Sequence, residues 1–244
     1  MTTMQHPISL PDSTPNLLAL KTRWKQQLGQ LNALIDEGLI PPAFAQEIVL
    51  LSQSIEDFKL AVPLIGKFST GKSSLINAWL GQEVQAIDLG PCTYNATEFH
   101  YAEQPRLVVH WSQPDGNARI EQRPISDYTA LKAGQFGEAE NLQLVELHLN
   151  NPALARFPEI MLVDTPGISA HDTRHTEATA SYLGDGVVFI LCANESTLGQ
   201  EELAIVQRQR SLGQAFYLLQ CKQDLLAPSD RADVFQTLIR QAGL

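Results

Sequence analysis

The spacing of apolar positions changes character once along the chain. Between residues 17 and 40, Leu17, Leu20, Trp24, Leu28, Leu31 and Ile35 recur at intervals of three and four, the stripe of an amphipathic helix. After Pro41 and Pro42, the set Phe44, Ile48, Leu51, Ile55 and Phe58 repeats at four, three, four and three, predicting a second helix with a narrow seam. Residues 16–58 therefore read as a helical hairpin. Two short heptad runs do not separate a free stalk from two helices packed on whatever follows, and both readings stay open.

From residue 59 onward, short apolar runs alternate with helical stretches. The run 60–65 ends in a glycine-rich turn, and 72–80 continues as a helix, giving strand, loop and helix in succession. Runs at 97–101, 107–111, 144–149, 160–163, 187–191 and 215–219 supply further candidate strands. A turn signal at Asp115, Gly116 and Asn117 predicts antiparallel pairing of 107–111 with 118–122 near a sheet edge. Residues 200–212 begin with Glu201 and Glu202, end with Arg208 and Arg210, and are followed by Gly213. That charge order suits the helix dipole, and the glycine suits a C-terminal cap. A last helical stretch covers 230–241. The sum is an α/β domain over 59–244, with a mostly parallel sheet flanked by helices, behind an N-terminal helical hairpin and a flexible, proline-containing tail over 1–15.

Composition narrows what such a domain can bind. The 244 residues carry 17 basic and 27 acidic side chains, a formal charge of -10. This excludes a broad nucleic-acid footprint, so any phosphate ligand must be captured locally. Cys92, Cys192 and Cys221 are too few and too scattered for a disulfide framework or a paired zinc motif, which points to a reducing, cytoplasmic setting. The first residues lack the basic start and apolar run of a signal peptide, and 187–193, the longest clean apolar stretch, is too short to cross a bilayer. Peripheral membrane contact stays open.

Local capture of phosphate has an obvious place. Gly66, Lys67, Phe68, Ser69, Thr70, Gly71, Lys72 and Ser73 match the pattern G-x-x-x-x-G-K-[ST] between a strand and a helix, with Ser74 next in that helix. The glycines let successive N–H groups converge on a phosphate, the helix N-terminus adds positive potential, Lys72 brings a point charge to the β and γ phosphates, and Ser73 reaches Mg²⁺. A second site follows the strand 160–163. In Asp164-Thr165-Pro166-Gly167, the carboxylate is placed to hold Mg²⁺ through water, and the glycine offers an unobstructed N–H to a γ-phosphate. A third is Cys221-Lys222-Gln223-Asp224, where Asp224 can accept from the two adjacent N–H groups of a guanine edge while the Lys222 stem lies over the base. Adenine lacks that donor pair. His171 and His175, four apart, could meet as metal ligands, but no third ligand is apparent and a switch segment is the better reading. Cys192 is read as a small buried side chain.

Taken together, GKFSTGKSSLINAWLG at 66–81, PCT at 91–93, DTPG at 164–167 and CKQD at 221–224 make residues 59–244 resemble the dynamin-like large GTPases, particularly bacterial members. The resemblance implies a P-loop GTPase domain, or G domain, that binds Mg²⁺-GTP and hydrolyses it to GDP to drive conformational change or self-assembly, through the G domain or the helices. It implies that Thr93 closes on Mg²⁺ and the γ-phosphate as the switch threonine, and that Ser69 contacts the β-phosphate side and neutralises transition-state charge. Thr97 is second to Thr93 as a switch hydroxyl and is better read as the start of its strand. The implied catalytic set is Ser69, Lys72, Thr93 and Gly167, and the metal set is Ser73, Thr93 and Asp164. Residues 66–74 with Lys222 and Asp224 form the nucleotide-binding set. Peripheral membrane contact in a longer protein is a further implication.

Two departures stand out. Cys221 occupies a position usually held by Thr or Asn, and its thiol is a weak donor, which softens base selectivity. Phe68 stands where some members carry a water-positioning glutamine, so hydrolysis is expected to be slow or to depend on self-assembly. The G-domain order also continues beyond one helix after Asp224, so a longer parent protein is expected, with the seam around Leu51 short of partners. A nucleotide-gated scaffold with little turnover and a P-loop ATPase are the alternatives.

Overall fold

Contacts divide the chain into Met1–Lys59 and Leu60–Leu244. The computed structural model describes residues 17–84, 95–113, 117–133, 135–136, 141–168, 182–183 and 188–244. The expected tail, the Asp115-Gly116 turn, Thr93, His171 and His175 lie outside them. Among the described residues, no helix is long and apolar enough to cross a membrane.

In the first unit, α1 (Leu17–Asp36) packs on α2 (Ala45–Asp57). The first helix stops four residues short of the expected end because Gly38 takes a left-handed φ of 73° and turns the chain. A short 3-10 turn, Pro42–Phe44, precedes α2, where proline loses no needed donor. Leu28 and Ile48 are buried, whereas Trp24, Leu31, Phe44, Leu51 and Phe58 remain exposed, so the predicted stripes are only partly covered. Lys21 is buried among them, its Nζ donating to the Glu56 carbonyl at 2.8 Å, and Lys25 pairs with the Glu56 carboxylate.

The second unit is one sheet of eight strands. In chain order it contains β1 (Leu60–Ile65), α3 (Lys72–Leu80), β2 (Ala96–Tyr101), β3 (Arg106–Ser112), β4 (Ala118–Arg123), α4 (Tyr128–Lys132), β5 (Leu142–Leu149), α5 (Pro152–Ala155), β6 (Ile160–Asp164), β7 (Phe189–Ala193), α6 (Gln200–Ser211), β8 (Phe216–Gln220) and α7 (Arg231–Ala242). The spatial order is β4-β3-β5-β2-β6-β1-β7-β8. β6, β1, β7 and β8 run parallel, and the edge hairpin of β3 and β4 is antiparallel as expected. Antiparallel pairing also reaches inward, to β2 with β6 and β3 with β5, while β2 and β5 are parallel. The link from β2 to β3 is short, yet β5 lies between them. Four or five extended residues, at about 3.3 Å each, can step across the roughly 10 Å of two strand spacings.

Alternate residues serve opposite faces. Leu64 joins Ile76, Phe99, Leu107, Val109 and Leu147 in one core, while Ile65 joins Phe189, Leu191, Val206 and Leu238 in the other. Asn151 caps α5 by accepting from the Ala153 N–H, and its amide donates to the Leu80 carbonyl at 2.8 Å, tying α5 to the end of α3. Gly213, with φ of 71°, ends α6 as its sequence implied.

Candidate functional site

The loop between β1 and α3 is shaped by what it must avoid. A Cβ on Gly66 would lie 2.4 Å from the Cys192 carbonyl oxygen, so the chain can leave β1 only as glycine there, and Gly71 turns into α3 with a φ of 106°. Thr70 is buried and its hydroxyl donates to the Lys67 carbonyl at 3.0 Å, closing the loop on itself. Inside that ring Lys72 Nζ donates to the Gly66 and Lys67 carbonyls, each at 2.9 Å. Burial pulls the Lys72 ammonium below the ordinary lysine range, opposed by the Asp164 carboxylate. Ser74 is exposed on the first turn of α3.

Asp164 ends β6 beside Leu64 of β1, so the carboxylate faces the start of α3. Ser73 Oγ donates to Asp164 Oδ2 at 2.9 Å, while Oδ1 is buried with no hydrogen-bond partner among the described residues. Burial pushes the Asp164 carboxyl above its ordinary range, against Lys132, Lys72 and the Ser73 hydrogen bond. A hydroxyl and a carboxylate in contact, with one buried oxygen unpaired, fit a hard cation such as Mg²⁺, which binds through few protein oxygens and retained water.

The segment after Asp164 is fastened to the phosphate loop. Thr165 Oγ1 donates to the Leu64 carbonyl at 2.7 Å, and the Ile168 N–H to the Gly66 carbonyl at 3.0 Å. A Cβ on Gly167 would stand 2.7 Å from both Cα and N of Phe68. Gly167→Ala must therefore displace one backbone segment from the other, at a cost of about 1–3 kcal/mol. Thermal unfolding should show the midpoint falling by several degrees. An unchanged midpoint would show that the two loops are not held together.

The third segment arrives from β8. The Cys221 N–H donates to the Ala193 carbonyl at 2.7 Å, and the Cys221 side chain stands against Gly71, where an added Cβ would lie 3.8 Å from Sγ. Ser69 and Lys222 are the described non-glycine residues with left-handed φ, 60° and 52°, and they meet, Lys222 Nζ lying 3.2 Å from Ser69 Oγ. Such backbone strain persists where surrounding structure enforces it, commonly at functional sites. Asp224 sits exposed on the 3-10 turn Gln223–Leu225, and Phe68 is 72 % exposed on the loop. Residues 66–73, Asp164, Gly167, Lys222 and Asp224 are thus brought to one end of the sheet, where β1, β6 and β8 finish.

Sequence reading missed a clamp at the same end. Lys67 Nζ donates to Glu195 Oε2 at 2.8 Å and lies 3.9 Å from Glu202, and the Glu195 contact holds its ammonium above the ordinary range. No motif marks Glu195. Its signal is position, since β7 ends at Ala193 between β1 and β8 and the two residues after it border the phosphate loop.

A family model described as the dynamin family matches residues 62–219. Dynamin-like protein 2 of Campylobacter jejuni is 28% identical over 215 residues, covering 86% of this chain and 34% of that protein. A bacterial dynamin-like protein of Nostoc punctiforme is 21% identical over 199 residues, covering 76% of this chain and 28% of its own length. A solved structure of an oligomerised bacterial dynamin pair, described as providing a mechanism for long-range sensing and tethering of membranes, superposes with a TM-score of 0.59 over 96% of this chain and 43% of that one, at 18% identity. This chain spans less than half the length of each of them. The fold is that of a P-loop GTPase, and the chain belongs to the dynamin family.

Proposed function

We propose that this chain binds Mg²⁺-GTP at the end of the sheet that carries residues 66–74, Asp164, Gly167, Lys222 and Asp224, and hydrolyses it to GDP and phosphate. The observation that carries the proposal is the Ser73–Asp164 contact directly beside the buried Lys72 ammonium. In this reading residues 59–244 are the G domain and the hairpin over 16–58 contributes to a stalk or bundle.

The residues divide the work by chemistry. Lys72 gives up its two carbonyl partners and moves its charge to the β and γ phosphates, and the N–H groups of the loop and of α3 receive the remaining oxygens. Ser69 takes the β-phosphate side, where charge grows as the bond to GDP breaks, and Lys222 stays close to it over the base. Ser73 and Asp164 would hold Mg²⁺, with Thr93 closing on it, and the ion would neutralise phosphate charge. The Gly167 N–H meets the γ-phosphate, so the segment after Asp164 registers whether that group is present. A water attacks the γ-phosphorus in line. Phe68 cannot orient it, so turnover in this reading is slow or depends on self-association, and the similar bacterial dynamin pair is oligomerised. In this reading the protein works in the cytoplasm, peripherally at a membrane, and the membrane sensing and tethering described for that pair supports the membrane part.

Titration with fluorescent GTP, GDP and ATP, followed by turnover assays at rising protein concentration, tests this. GTP should bind in preference to ATP, and specific activity should climb several-fold as copies associate. Tight binding with no turnover at any concentration would replace the enzyme by a nucleotide-gated scaffold, and equal use of ATP would replace it by a P-loop ATPase.

A further inference from the structure

Away from the phosphate loop, the sheet carries a second polar constellation. β2 contains Glu98-Phe99-His100 and β5 contains Glu146-Leu147-His148, and the parallel register sets Glu98 beside Glu146 and His100 beside His148. Period-two alternation sends Phe99 and Leu147 into the core and leaves all four polar side chains on the opposite face. Both imidazoles are nearly buried and stack at 4.7 Å with 12° between their planes.

We propose that His100, Glu146 and His148 form a binding site for a zinc-class transition-metal ion, separate from the Mg²⁺-nucleotide site. One atom from each of the three lies within 4.8 Å of the others. Glu146 Oε2 stands 2.9 Å from His148 Nε2 and 4.0 Å from His100 Nε2. Ligands on a tetrahedral ion with bonds of about 2.0–2.1 Å sit roughly 3.3–3.4 Å apart, so these separations straddle the required value and small side-chain rotations close the set. Two imidazoles and a carboxylate suit Zn²⁺ better than the oxygen-seeking Mg²⁺.

The surroundings orient the ligands as supporting residues do in metal sites. His110 Nε2, from β3, lies 2.6 Å from Glu146 Oε1, leaving Oε2 for the two buried rings. Glu98 stands outside the three-ligand set and orients His100. Its Oε2 is 2.9 Å from His100 Nε2, and its Oε1 accepts from the Tyr182 hydroxyl at 2.6 Å. An ion here would fasten β2 to β5 through His100 on one strand and Glu146 and His148 on the other.

The test uses the whole 244-residue chain, stripped with a chelator and kept in excess Mg²⁺. Zn²⁺ is titrated in competition with a chromophoric indicator, and Co²⁺ is followed by visible absorption. The expected result is an equimolar complex of micromolar affinity or tighter, a rise in unfolding temperature with Zn²⁺, and a tetrahedral Co²⁺ spectrum. His148→Gln and Glu146→Gln keep side-chain volume and should each weaken binding at least about 100-fold. Ser73→Ala and the double variant His171→Ala/His175→Ala should bind as the parent does. Absence of stoichiometric binding, or undiminished binding by folded His148→Gln, would overturn the assignment. Loss of binding in either control would move the ion elsewhere and overturn it equally. None of these readouts depends on GTP turnover.

Discussion

Lys72→Ala should bind Mg²⁺-GTP about 10²–10³-fold more weakly than the parent chain while unfolding with nearly the same midpoint. Truncating one partner of a buried, hydrogen-bonded charge pair costs roughly 3–4 kcal/mol, and each 1.4 kcal/mol is a factor of ten. The fold is spared because neither carbonyl that Lys72 serves depends on it alone. The Gly66 carbonyl also accepts from the Ile168 N–H at 3.0 Å, and the Lys67 carbonyl from Thr70 Oγ1 at 3.0 Å. Removing a buried ammonium whose pKa is already lowered by burial relieves a desolvation cost. Nucleotide titration paired with thermal unfolding separates the outcomes. Unchanged affinity would remove the loop from phosphate binding, and collapse of the folded state would make Lys72 structural.

Legibility in the sequence followed from how each feature is encoded. The positions of the 66–73 loop, Asp164 and Asp224 could be read because each follows an apolar run, and β1 and β6 are half-buried to buried along their length, whereas β8 is an edge strand with Tyr217 exposed. Strand direction was harder. β2 and β5 are as apolar in outline as their neighbours, and nothing local shows that β5 inserts between β2 and β3. The hairpin stripes were read as a seam, yet Leu51 and Phe58 stay exposed, because periodicity identifies a face and not its partner. The repeated Glu-x-His in β2 and β5 was visible in the letters. Its meaning required the register that sets His100 beside His148.

Asp224→Ala should abolish the preference for guanine, with GTP and GDP affinities falling together by about 10²-fold and ATP affinity unchanged. The Asp224 carboxylate is exposed on its turn, and among the described residues no hydrogen bond or ion pair engages it, so both oxygens are available to a base. Guanine offers two adjacent N–H donors, and hydrogen bonds to a charged acceptor are worth about 1.5–3 kcal/mol each, the lower end applying to an exposed group. Lys222, held in its left-handed conformation next to Ser69, fixes the turn that presents Asp224. The parent's selectivity is expected to be modest, since the Cys221 Sγ, a weak donor, stands beside Gly71 in a position where a hydroxyl or amide would brace the loop. The ratio of ATP to GTP dissociation constants is the measurement, taken for parent and variant in the same buffer. Because the phosphate contacts are untouched, a fall in ATP affinity equal to that of GTP would mean that Asp224 supports the loop and does not read the base. A parent ratio near one would remove base recognition from this end of the sheet altogether.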